Sequence, residues 1–294
     1  MSRPRLLLAL ATLSCALLAP PAAPAAERNL YVSLGDSYAT GYQATGVRQG
    51  ANTRNGFAYQ VPKLTRNRGY RLELVNFGCG GATTVSLLRQ TDPCPERARG
   101  PGGRTWGGRT QLQAAERFLR ANRGDVELIT VSIGGNDVTS CARASDPIPC
   151  VATAVKKIEK NVATIAKRLR AAAGPGVRIT GITYPDVILG QWVGEGANTE
   201  LASLSVVAFK SLINPAFKKA YAKGGGRFVD VTRATGAYTP LEQTIEFPPY
   251  GSIPIAVARV CELSYYCEFR DIHARTEGYR IIADLVAKTL PRRS

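Results

Sequence analysis

Short apolar runs alternate with longer segments of mixed character along most of this chain. Residues 30–34, 72–77, 126–133, 177–183 and 227–231 read as strands, and residues 57–68, 111–120, 151–173 and 200–222 read as helices. In 151–173, Val155, Ile158, Val162, Ile165 and Leu169 recur at spacings of three and four with Lys and Arg between them. That pattern is one apolar stripe on a solvated helix. Strands that take turns with helices predict an α/β fold, with a parallel sheet covered on both faces.

Two stretches do not follow the alternation. Residues 92–110 contain GPGGRTWGGRT with a small internal GGRT duplication, and residues 232–270 carry aromatics and prolines without a helical period. Loops this long in a compact domain are functional or decorative. The functional reading makes them walls of a site, with Trp106, Phe247, Tyr250, Tyr265 and Tyr266 as apolar lining.

The first 26 residues read as a signal peptide rather than as part of the fold. Arg3 and Arg5 precede an apolar run over 6–18, and Ala23-Pro24-Ala25-Ala26 supplies a small-residue cleavage site. The run is too short to span a bilayer. Cys15 lies inside it after Thr12-Leu13-Ser14, a poor context for a lipid anchor. The expectation is a secreted, extracellular protein with one domain over 27–294.

Composition narrows the partners. Loss of Arg3 and Arg5 with the leader takes the formal charge from +16 to +14. Such a surface is drawn to an anionic membrane or cell-envelope polymer. The basic residues are scattered rather than striped, so nucleic acid is not expected. A monomer is the expected state. Apart from Cys15, six cysteines remain, an even number that in an exported chain favours disulfides. Proximity along the chain pairs Cys79 with Cys94, Cys141 with Cys150 and Cys261 with Cys267. Without a CxxC, and with one histidine, no metal site is expected.

In a parallel sheet, ligands bind beyond the carboxyl ends of the strands. Gly35-Asp36-Ser37 follows the first strand, Gly78 to Thr84 the second, and Gly134-Gly135-Asn136-Asp137 the third; Asp271-Ile272-His273 lies past the fifth and its long loop. A serine hydroxyl is a weak nucleophile until an adjacent base activates it. If that base is an imidazole, it is His273, with Asp271 the natural residue to orient the ring. The Ser37 N–H, a glycine N–H of the second loop and the Asn136 side chain are candidate donors to an oxyanion. Each also has a plain structural use: Ser37 and Asn136 as helix caps, Gly80 and Gly81 as turn residues. Asp36 and Asp137 are expected to bind backbone amides rather than to do chemistry.

These four segments, GDSYATG, NFGCGGATT, GGND and DIHARTEGY, resemble the blocks of the SGNH or GDSL hydrolases. The resemblance spans nearly the whole chain after the leader. It implies a three-layer α/β/α flavodoxin-like fold with a five-stranded parallel sheet, Ser37 as nucleophile, Gly81 and Asn136 in the oxyanion hole, and His273 as base. It also implies a serine esterase or lipase without metal or organic cofactor, acting on acyl lipid or short-chain esters. The family often places the acid three residues before the histidine, where this chain has Arg270. Either Asp271 orients the ring from two residues away, or a backbone carbonyl does. A carbohydrate acetylesterase or an acyltransferase would use the same residues, and a non-catalytic envelope-binding module would use the same scaffold.

Overall fold

The computed structural model describes residues 29–293, so the leader expected over 1–26 lies outside the described residues. Nine strands are described: β1 Leu30–Gly35, β2 Tyr42–Gly46, β3 Gln49–Asn52, β4 Glu73–Asn76, β5 Val126–Ser132, β6 Arg178–Ile182, β7 Arg227–Val229, β8 Thr244–Glu246 and β9 Ser252–Pro254. The helices are α1 Ser37–Thr40, α2 Phe57–Leu64, α3 Thr84–Arg89, α4 Gln111–Ala121, α5 Gly135–Val138, α6 Pro147–Ala173, α7 Thr199–Ala208, α8 Asn214–Ala222, α9 Val231–Ala234, α10 Ile255–Leu263, α11 Tyr266–Phe269 and α12 Thr276–Thr289.

The five parallel strands lie in the order β4-β1-β5-β6-β7. Successive side chains of a strand point to opposite faces, and β1 divides its residues accordingly. Leu30, Val32 and Leu34 join the core beneath α4, α6 and α8, whereas Tyr31 joins the core formed with α2 and α12. Because both faces are covered, the central strands β1 and β5 are buried nearly throughout. The chain leaves β1 towards β4 and then crosses back to β5, so the order reverses between β1 and β5. That reversal opens a crevice beyond their carboxyl ends.

Helix α6 buries Val155, Ile158, Val162, Ile165 and Leu169 along one stripe. It starts at Pro147, earlier than its apolar period, because proline suits a first helical turn whose N–H groups lack partners anyway. The helix expected over 200–222 is two: α7 and α8 are joined by a π-helical turn over Phe209–Ile213. Pro215 follows that turn and has no N–H to continue the ladder.

The stretch 232–270 is not the loop that its composition predicts. It forms the β8–β9 hairpin, α10 and α11, around a small core in which Val257, Val260 and Tyr266 pack with Val187, Leu189 and Val193. The apolar period was hidden because α10 is only nine residues long and apolar on most sides. Disulfides join Cys79 to Cys94, Cys141 to Cys150 and Cys261 to Cys267. Among the described residues no helix is long and apolar enough to cross a membrane, and no group of three or more metal-ligating side chains exists.

Candidate active site

Ser37 is the first residue of α1, directly beyond β1. The turn that presents it is fixed on every side. Gly35 lies at φ +138°, where a Cβ would sit 2.0 Å from the Ser132 carbonyl oxygen, so only glycine lets β1 pass β5 here. The buried Gln111 side chain clamps Gly35, accepting from its N–H at 2.7 Å and donating to its carbonyl at 3.0 Å. Asp36 caps α1 by accepting from the Tyr38 N–H at 3.0 Å, and its other oxygen accepts from the Tyr184 hydroxyl at 2.5 Å. Burial pushes the Asp36 carboxyl up to about 6, against the opposing pull of those two hydrogen bonds.

His273 meets this turn from the other end of the chain. Its Nε2 lies 2.7 Å from Ser37 Oγ, between residues 236 positions apart, and its Nδ1 lies 2.8 Å from Asp271 Oδ1. The same Asp271 oxygen accepts from the His273 backbone N–H at 2.9 Å. Burial raises the Asp271 carboxyl, but the hydrogen bond and charge of the His273 ring outweigh it and hold the group below its ordinary value. An ionised carboxylate only accepts, so Nδ1 carries the proton and Nε2 is left to accept from the serine hydroxyl. The ring is also held by Tyr42, whose centroid lies 4.4 Å away.

The second and third loops lie beside this pair and are tied together. The Gly80 N–H donates to Ala98 O at 2.8 Å, whereas the N–H groups of Gly81, at φ +80°, and of Ser37 make no hydrogen bond among the described residues. Asn136 Nδ2 donates to Ala82 O at 2.8 Å, which fixes its amide on the Gly81 loop. Asp137 accepts from Thr84 N at 2.8 Å and Thr84 Oγ1 at 2.6 Å, locking the two loops to each other. Asp36 and Asp137 thus both accept from backbone amides.

A pocket opens from Ser37, Asn136 and Ile272 towards α6, α7 and the π-turn. None of the five aromatics expected to line the site reaches it. Trp106 is buried in the core with its Nε1 donating to Phe77 O, and Tyr266 belongs to the core around α10. The Tyr265 hydroxyl accepts from Gln43, and Phe247 stacks on Tyr250. The correction has a physical reason: 232–270 folds against residues 187–193, and its aromatics are engaged there, on one another and on Gln43. The true lining includes Ile148, Leu204, Phe209 and Phe217, on helices whose apolar stripes read only as core, and Tyr184 just past β6.

Residues 33–281 match the GDSL-like Lipase/Acylhydrolase family. The chain belongs to that family. It is accordingly a carboxylic ester hydrolase, and the family match covers all four blocks. Among solved structures, the chain is similar to an extracellular lipase from Streptomyces rimosus, with 17% identity, a TM-score of 0.51 and coverage of 89% of this chain and 99% of that one. It is also similar to an aryl esterase from M. smegmatis, with 13% identity, a TM-score of 0.45 and coverage of 89% and 97%. A carbohydrate acetylesterase from Sinorhizobium meliloti gives 13%, 0.47, 89% and 98%. The Streptomyces likeness supports the three-layer fold for this GDSL-family chain. Comparison with curated proteins gave no match.

Proposed function

We propose that this protein is a secreted serine esterase or lipase that cleaves carboxylic esters through an acyl-enzyme on Ser37. The observation that carries the reading is the 2.7 Å approach of Ser37 Oγ to His273 Nε2, with Asp271 on the far side of the ring. Ser37 attacks the ester carbonyl carbon as Nε2 takes the hydroxyl proton. The carbonyl oxygen gains negative charge, which the Ser37 N–H, the Gly81 N–H and the Asn136 side chain stabilise. Each such donor is worth about 3–4 kcal/mol in the transition state. Collapse returns the proton from Nε2 to the departing alcohol. Water then enters, gives a proton to the same nitrogen and attacks the acyl carbon, and the second collapse frees Ser37 and the acid.

Three disulfides support an oxidising, extracellular destination, reached through the leader over 1–26 and followed by one hydrolase domain over 27–294. The basic surface supports residence near an anionic membrane or envelope. Labelling with a fluorophosphonate tests the chemistry: the wild type takes one equivalent and Ser37→Ala takes none. Equal labelling of both would overturn the assignment of Ser37. Absence of labelling in a folded wild type would favour the envelope-binding module. Product analysis with added alcohols separates hydrolysis from acyl transfer.

A further inference from the structure

The pocket beside Ser37 has a volume of about 120 Å³ and an overwhelmingly apolar lining. The few polar side chains away from Ser37 and Asn136 are already engaged. Thr139 Oγ1 donates to Gly135 O at 2.8 Å, the Tyr184 hydroxyl donates to Asp36, and Ser205 Oγ is held by Asp186 and Ala202 O. Deep in the lining, Phe217 is 1% exposed and packs so closely under Gly134 that a Cβ there would lie 2.7 Å from its ring. A bound group finds no free hydrogen-bond donor among these side chains, so the chamber favours hydrocarbon.

Given that Ser37 is the nucleophile, we propose that this chamber holds the acyl part of the substrate. The substrates are esters of short, unbranched acids of about four to six carbons, and Leu204 and Phe209 gauge the length. The carbon number follows from volume: an apolar cavity of about 150 Å³ holds the six carbons of one benzene molecule, so one of about 120 Å³ holds about five. The acyl part is preferred over the alcohol because it stays on the enzyme through both steps, whereas the alcohol must leave before water enters. A second, open groove, less apolar than the chamber and carrying Thr83, Ser140, Thr153 and Lys157 beside Val85 and Ala154, shares Asn136 and Cys141 with it and gives the alcohol an exit. Leu204 on α7 and Phe209 on the π-turn are half-buried lining residues, so their size sets the reach of the chamber without deciding the core.

The test is hydrolysis by the full-length protein of p-nitrophenyl esters from acetate to dodecanoate, beside acetates of lengthening alcohols. Burial of each methylene is expected to raise kcat/KM about fourfold from acetate to butyrate, with a fall from octanoate onwards. The alkyl acetates show no such rise. Phe209→Ala moves the optimum to chains longer by about two carbons, and Leu204→Trp moves it to acetate. An optimum at acetate in the wild type, a length dependence confined to the alcohol, or an optimum that neither variant shifts would overturn the chamber. Binding of methyl acetate, butyrate and hexanoate to Ser37→Ala, followed by calorimetry, needs no turnover. Tighter binding of the longer esters there supports the chamber, and equal binding overturns it, even if fluorophosphonate labelling has refuted Ser37 as nucleophile.

Discussion

The turn that carries Ser37 and the strap that carries His273 meet where Ser37 Oγ approaches His273 Nε2, yet they are built in different ways. The serine turn is an extension of the sheet. Its residues follow β1 directly, Asp36 N–H donates to Ser132 O of β5, and Gln111 holds Gly35 from both sides. The histidine strap, residues 271–273, has no regular structure. It is held from outside: Tyr265 N–H donates to His273 O at 3.0 Å, the Tyr38 hydroxyl donates to Ile272 O at 2.6 Å, and Arg275 N–H donates to Leu263 O at 2.8 Å. Ser37, the proposed nucleophile, therefore shares the stability of the sheet, whereas His273, the proposed base, depends on the 232–270 segment. Regions held by few and long-range contacts open at lower free energy than the core, so the two halves of the site should fail separately.

The largest effect should come from either reacting group. Ser37→Ala and His273→Ala are each expected to lower kcat for ester hydrolysis by about 10⁴–10⁶-fold, with the double variant no worse than either. Single-turnover and steady-state rates on a p-nitrophenyl ester measure this. Losses that multiply in the double variant would mean that the two side chains act apart.

Next are the groups that orient and stabilise. Asp271→Ala should cost about 10³–10⁴-fold in kcat, because Nδ1 and the backbone N–H of His273 both lose their acceptor. Asn136→Ala should cost about 10²–10³-fold. A loss under tenfold for Asp271→Ala would transfer the orienting role to a backbone carbonyl.

Much of this comparison was legible before any coordinates, and the reason differs between the two regions. The serine turn is written locally: a strand run into Gly-Asp-Ser leaves few conformations open, and Gly35 stands where β5 forbids a side chain. The placement of His273 beside Ser37 was legible because the chain has one imidazole. Its support was not, since Tyr38, Tyr265 and Leu263 make tertiary contacts that leave no periodic trace. The chamber was invisible for a related reason. Leu204, Phe209 and Phe217 sit in helices whose apolar residues look the same whether they face other side chains or a space. One signal was available: Thr199–Ala208 carries apolar residues on all sides, with Val207 52% exposed, which an ordinary surface helix avoids.

The two carboxyls beside Ser37 and His273 are shifted in opposite senses, which separates the two regions by pH. Asp36 on the serine turn is raised from 3.8 to about 6, so the folded state binds its proton more tightly than the unfolded chain. Its effect on stability is favourable at low pH and is lost as pH rises from about 4 through 6. Asp271 on the strap is lowered from 3.8, so its contribution is present above that value and is lost as pH falls through the folded value. Relative to Asp36→Asn, the wild type should lose on the order of 2 kcal/mol of unfolding free energy between pH 4 and pH 7. Urea titrations across that window measure the difference. Parallel pH profiles of the two proteins would mean that the buried Asp36 carboxyl is not the group responsible.

The Cys261–Cys267 bridge joins α10 to α11, just ahead of the strap. Closing a loop of sequence separation 6 is worth about 2 kcal/mol by chain entropy. In Cys261→Ser/Cys267→Ser, activity should disappear at lower urea than the far-ultraviolet signal of the sheet and its helices, whereas in the wild type the two coincide more closely. Coincident transitions in the variant would break the claim that the strap opens on its own.

The smallest effect concerns the second hydrogen bond from the turn to the strap, from the Tyr38 hydroxyl to Ile272 O at 2.6 Å. Tyr38→Phe removes this oxygen and keeps the ring, which is buried edge-on against Tyr184 at 5.0 Å and Tyr279 at 5.5 Å. The loss leaves a partly buried carbonyl without its donor, a cost of about 1–2 kcal/mol. If the strap is positioned chiefly by Tyr265, Leu263 and the disulfide, His273 will remain within reach of Ser37 for most of the time. The variant should then lose no more than about tenfold in kcat, the factor that about 1.4 kcal/mol represents. KM should hold, and the acid limb of the pH–rate profile should stay in place because Asp271 still faces Nδ1. A displaced acid limb, or a loss as deep as that of His273→Ala, would make Tyr38 the strap's main anchor and fuse the two regions into one.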